Sequence, residues 1–191
     1  MLERGGLDAR TNVRSRLTRA ARLAGLTLVE LLAVVAVMAI LATLAVPSFG
    51  SLRRTAAVGA VTTELVAALH FARSAAALDA RPVTLCLSAD GQTCVPSARD
   101  TATGWLIFVQ PDAGVTTSAV VVPPVLRQFR APEGVAVHGS RAAVTFWPGA
   151  RASLTSTFDV CDVRRAVAGR AVVVSQTGRP RVAVEEAACA P

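Results

Sequence analysis

The residues with the most chemistry to offer lie near the C-terminus, in the run Ser-Gln-Thr-Gly-Arg-Pro-Arg at 175–181. Gly178 can adopt the positive φ that a tight hairpin turn needs. Arg179 and Arg181, two residues apart, fall on one face once a strand has begun, and Pro180 between them stiffens the backbone. No acid occurs from Val163 to Val184, while Arg164, Arg165 and Arg170 precede the turn. Such guanidiniums form a compact phosphate-facing patch, for which the DNA backbone is the natural ligand. Two to five phosphate contacts would bind without sequence preference, because nothing here reads base edges. The plain alternative is a charged hairpin whose arginines are only solvated.

Other chemistry is sparse. There are two histidines, His70 and His138, and neither belongs to a nucleophile arrangement; GxSxG, P-loop and HExxH patterns are absent, so no enzyme is expected. His70 lies beside an apolar helical stripe without a partner at ligand spacing and reads as a boundary residue. Asp159 and Asp162 flank Cys161 and read as solvated carboxylates at a strand end. The four cysteines are spaced by 8, 67 and 28 residues. That spacing lacks Cys-x-x-Cys, which argues against a zinc site, so no metal or cofactor is expected. In an exported chain an even count reads as disulfides. Of the three pairings, Cys86–Cys94 closes a short turn and Cys161–Cys189 ties down the C-terminus.

Export follows from the N-terminal half. All 20 basic residues of the 191 are Arg, and the net charge is +7. Residues 1–25 hold six Arg against Glu3 and Asp8, leaving +3 for the remainder, so the overall charge is a poor argument for nucleic-acid binding. From Leu26 to Val46 only Thr27, Glu30 and Thr43 interrupt an apolar run long enough to span a bilayer. A core helix of a soluble protein is the alternative at this length. The arginines before the run keep the N-terminus cytoplasmic and send the rest outward. Glu30 is the anomaly. A carboxylate in hydrocarbon is costly, and no cation lies within the helix to pair with it.

A cut just before Leu26 would supply that cation as a new amine. Gly25, a hydrophobic residue, three more residues and Glu30, ahead of a long apolar run, resemble the processing site of type IV prepilins and pseudopilins. Pro47, where that family often kinks its helix, extends the likeness. The resemblance implies cleavage after Gly25 by a membrane prepilin peptidase, methylation of Leu26, and pairing of Glu30 with the amine of an adjacent subunit. Residues 1–25 would be a cleaved leader and 26–79 a spine helix, with 26–46 in the inner membrane before assembly with other pilins.

Past Pro47, Val58, Val61, Leu65, Ala68, Leu69, Ala72 and Ala76 recur at spacings of three and four, which predicts helix to about Leu78, ending before Arg81-Pro82. From Pro82 the apolar segments shorten and the punctuation turns to Gly and Pro. Strands are expected in PVTLCLS, GWLIFVQ, VLRQF, VAVH, AAVTFW, SLTSTFDV, RAVVVS and PRVAVE, forming a small antiparallel head over 80–191. Trp105, Phe108, Phe146, Trp147 and Phe158 are expected in its core. The fold class is therefore α+β and pilin-like. A strand ending FWPGA, then TFDVCD, then RRAVAGRAVVVSQTGRPRV, also looks like the FimT/GspH family of minor pilins and pseudopilins. In its FimT branch a C-terminal Gly-Arg-x-Arg element is associated with DNA binding and uptake in natural transformation, and Gly178, Arg179 and Arg181 match it. Two functions follow: a FimT-like minor pilin that contacts DNA, or a GspH-like pseudopilin of type II secretion with a structural role. A membrane-anchored hydrolase is the remaining class.

Overall fold

A computed structural model describes residues 27–98, 100–110, 125–149, 151–152, 154–187 and 189; the side chains of 44–48, 151, 185 and 186 lie outside that description. Gly25, Leu26 and the expected kink at Pro47 also fall outside it. The chain divides into two compact units, Met1–Leu44 and Ala45–Pro191.

Helix α1 is assigned over Leu28–Leu78. In the first unit Thr27 caps it, its Oγ1 accepting the Glu30 N–H at 3.2 Å. Thr27 and Glu30 thus stand in the T-x-x-E spacing of a capping box, and a carboxylate in the first turn also suits the helix dipole. The large apolar side chains from Leu28 to Leu41 are 52–74% exposed, on all sides of the helix. A helix with no polar face has no stable home in water.

In the second unit the helix behaves differently. Phe49–Leu78 is long and apolar enough to cross a membrane, yet Val58, Val61, Leu65, Ala68, Leu69, Ala72 and Ala76 are all buried and sit in one core with both sheets. Its apolarity serves the domain. The helix closes where Asp79 N–H reaches the Ala75 carbonyl at 2.9 Å and Ala80 takes a left-handed φ of 51°, the position more often given to glycine.

Among the described residues nine strands follow: β1 (Val83–Ser88), β2 (Gly104–Val109), β3 (Val125–Arg130), β4 (Val135–Gly139), β5 (Ala143–Trp147), β6 (Arg151–Ala152), β7 (Ser156–Asp162), β8 (Arg170–Val174) and β9 (Pro180–Glu186). They form two antiparallel sheets, in the orders β3-β2-β1-β5-β6 and β4-β7-β8-β9. The inner faces, with Leu85, Leu87, Ile107 and Phe146 from the first and Phe158, Val160 and Val172 from the second, share the core with α1. Trp105 stacks on Phe129 at 4.3 Å between ring centroids. Strands β1 and β2 are buried at every position. Their outer face, carrying Cys86, Leu106 and Phe108, forms a second apolar cluster with Cys94. The Cys86–Cys94 disulfide holds the 86–94 loop there. Two expectations are corrected. Trp147 is not core but 48% exposed, because alternation along β5 turns Val144 and Phe146 inward and leaves Trp147 on the other face with Ala143 and Thr145. The segment expected as a strand from Ser153 to Val160 begins at Ser156 and extends to Asp162, with the short β6 before it.

Asp90 organises that loop. Its Oδ1 accepts the N–H groups of Gln92 and Thr93, each at 2.8 Å, and its Oδ2 accepts the Thr93 hydroxyl at 2.7 Å. Led by the Thr93 and Gln92 N–H donors, these bonds hold its carboxyl far below the usual range. A depressed carboxylate stabilises the fold above the unfolded pKa of about 4 and loses that contribution as pH falls toward the folded value. Melting temperature should therefore drop more steeply below about pH 4 in the wild type than in Asp90→Asn. Parallel melting curves for the two proteins between about pH 5 and pH 2 would show that these bonds carry no such linkage.

Candidate nucleic-acid interface

The hairpin between β8 and β9 is built by short local bonds. The Gly178 N–H reaches the Ser175 carbonyl at 2.8 Å, and the Ser175 N–H reaches the Arg179 carbonyl at 3.2 Å. Ser175 Oγ accepts the Arg179 N–H at 3.3 Å and lies 2.8 Å from the Thr177 hydroxyl. Gly178 has φ 71°, so a side chain there would strain the turn. Pro180 is buried opposite Val174, and Arg181 pairs with Val173. Both Arg179 and Arg181 are exposed. Their backbone is fixed by the turn and their side chains face solvent.

The other arginines expected in the patch are elsewhere. Arg170 is at the far end of β8, on the face that carries Val172 and Val174 into the core, whereas Arg181 shares the opposite face with Val173. The Arg170 guanidinium reaches α1, 4.0 Å from where a Cβ on Gly59 would stand. Arg164 and Arg165 occupy the turn after β7, where the Arg165 N–H bonds to the Asp162 carbonyl at 2.9 Å and Arg165 adopts φ 53°. Because β7 and β8 are antiparallel, this turn and the 175–179 turn lie at opposite ends of the sheet. Five residues of strand separate them, roughly 15 Å at the usual rise. The compact six-residue patch is thus reduced to a two-arginine tip.

The turn after β7 has a different neighbour. Asp162 was expected to be solvated, but its side chain is 3% exposed. Its Oδ1 accepts from Arg54 Nη1 of α1 at 3.5 Å, and its Oδ2 accepts the Ala166 N–H at 2.7 Å. Arg53, Arg54, Glu133 and Arg164 line an open cleft of about 700 Å³ beside this pair. The two partners are 108 residues apart in sequence, and no local pattern announces them.

All four cysteines are paired, Cys86 with Cys94 and Cys161 with Cys189. The second bridge crosses Gly169, whose added Cβ would meet Cys189 Sγ and come within 2.8 Å of the Val160 carbonyl oxygen.

A long apolar helix packed on antiparallel sheets, with an exposed apolar segment ahead of it, defines a pilin-like protein. Residues 61–178 match the family described as Type II transport protein GspH. The chain belongs to the GspH family. Among solved structures it is similar to the type IV minor pilin FimU of Pseudomonas aeruginosa strain PAO1, in two crystal forms. The TM-scores are 0.52 and 0.53 at 19% identity, covering 68% and 69% of this chain and 97% and 92% of FimU. The minor pseudopilin EpsH from the type 2 secretion system of Vibrio cholerae aligns at 11% identity and TM-score 0.45, over 66% of this chain and 95% of EpsH. No curated protein matches the sequence. The chain thus shares the fold of the FimU structures.

Proposed function

We propose that the chain is a FimT-like minor pilin of a type IV pilus that binds DNA without sequence preference and serves DNA uptake in natural transformation. It is cut after Gly25 by a prepilin peptidase and methylated on Leu26. Held in the inner membrane by 26–46, with its N-terminus cytoplasmic and its head periplasmic, it then joins other pilins through its helix. Glu30, in the first turn of the helix, pairs with a neighbour's amine on assembly. The all-round exposure of the apolar side chains from Leu28 to Leu41 supports this environment.

The observation that carries the DNA reading is the exposed Arg179–Arg181 pair on a hydrogen-bonded turn, in a stretch without acids from Val163 to Val184. Two guanidiniums make two phosphate contacts. Affinity per copy should be about 10⁻⁴ to 10⁻⁶ M, with log K falling by roughly 1.8 per decade of salt. The unit from Ala45 onward should retard duplex DNA in a gel at low salt, and Arg179→Ala with Arg181→Ala should remove the shift. Arg164→Ala with Arg165→Ala, at the other end of the sheet, should leave most of it. An unchanged shift in the first double variant would eliminate this tip as the contact. The second reading is a pseudopilin of a type II secretion system with a purely structural role, favoured by the family description. Failure of the wild type to retard DNA at low salt would remove the DNA reading and favour this one.

A further inference from the structure

The chain has two tryptophans. Trp105 is 1% exposed and serves the core, while Trp147 leaves about half of a large indole in water. Trp147 stands in register with Arg151 across the β5–β6 hairpin, and the preceding pair is Phe146 with Ala152. The Ala152 N–H donates to the Gln176 carbonyl at 3.3 Å, inside the turn that presents Arg179. Two hairpin ends therefore meet at one edge of the domain. One brings an exposed indole, and the other brings two exposed guanidiniums. No acid occurs from Gly134 to Phe158 or from Val163 to Val184, so the two hairpin ends that meet carry no acid of their own.

From this juxtaposition we infer that Trp147 is a base-stacking residue and that the edge binds unpaired DNA more tightly than duplex. The inference rests on the DNA reading above and deepens it. Arg179 and Arg181 take backbone phosphates, and the indole takes the face of one base. Stacking is indifferent to base identity, since every base has a π-face. A duplex gains little from an exposed indole, because its bases are already stacked on one another. A single strand can turn a base outward at small cost. The contact thus adds a preference for strand state without adding one for sequence.

The test uses the full-length chain in detergent micelles, with oligothymidylate, a blunt duplex of the same length and inorganic polyphosphate as probes. Because Trp105 is buried, Trp147 dominates the quenchable emission. Oligothymidylate should quench it, and polyphosphate, which has charge but no bases, should not. Trp147→Ala should weaken oligothymidylate binding by about tenfold, within the range of one base–aromatic stack, and leave duplex binding unchanged. Trp147→Phe should recover most of the loss. If both DNAs bind through the arginine tip but emission is unquenched and Trp147→Ala is neutral, stacking is refuted and the DNA reading stands. If neither DNA binds, both fall. The quenching experiment needs no variant, so it remains decisive if Trp147→Ala misfolds.

Discussion

Serine at both Cys161 and Cys189 should lower the unfolding free energy of the unit from Ala45 onward by about 3.5 kcal/mol, the chain-entropy value for this loop. The bridge joins β7 to residues just past β9 across a sequence separation of 28, so reduction returns a long loop to the unfolded chain. Among the described residues β9 is an edge strand, paired only with β8. Beyond it the chain is held by weaker ties, such as the Ala187 N–H to the Gly169 carbonyl at 3.5 Å. Without the bridge the C-terminal end of β9 should fray first. The Cys86–Cys94 bridge has a separation of 8, for which the same relation gives about 2.6 kcal/mol. That loop also keeps its Asp90 bonds after reduction. Urea denaturation of the two double-serine variants should rank them in this order, and amide exchange should show faster opening at 183–187 only in the first. A smaller loss for Cys161/Cys189 than for Cys86/Cys94 would reject the loop-length argument.

Much of this architecture was legible because its signals are local. The helical stripe from Val58 to Ala76 repeats at helical spacing, and every member is buried. The eight expected strands correspond to eight of the nine found, since short Val-, Thr- and Phe-rich runs between Gly and Pro turns need no distant information. What escaped depends on neighbours. β1 and β2 show no alternation because their second face is buried as well, part of it in a cluster with Cys94, so sequence could place the strands but not orient them. Trp147 carries the composition of a core residue and is exposed because it alternates with the inward-facing Val144 and Phe146. β6 is two residues long, too short for any periodicity. The arginine patch failed for a topological reason: Arg165 and Arg179 are close in sequence, but an intervening antiparallel strand carries them to opposite ends of the sheet. The T-x-x-E spacing of Thr27 and Glu30 was in plain view. There the Thr27 hydroxyl caps the helix through the Glu30 N–H, and the Glu30 carboxylate keeps the assembly role we propose.

Arg54→Ala should cost about 2 kcal/mol, because it leaves the Asp162 carboxylate buried without its cation. Removing one partner of a fully buried pair costs about 3–5 kcal/mol. The Arg54 side chain is 33% exposed, which screens the pair and lowers the expectation, and the Ala166 N–H continues to hold Oδ2. Arg53, one residue earlier, is exposed and lines the same cleft. Arg53→Ala should therefore stay within about 0.5 kcal/mol of wild type. The decisive comparison is the double variant Arg54→Ala with Asp162→Ala. If the cost lies in the orphaned charge, removing Asp162 as well should add less than Asp162→Ala costs alone, giving a coupling energy of about 1 kcal/mol or more for residues in contact. Because little water reaches the carboxylate, that coupling should also survive moderate salt, unlike a surface pair. Urea denaturation of the four proteins at two salt concentrations measures it. Additive losses would mean that α1 and β7 are held by apolar packing alone and that the ion pair is incidental. A persistent coupling would make Arg54–Asp162 the polar tie between the helix proposed to assemble and the sheet that carries the arginine tip.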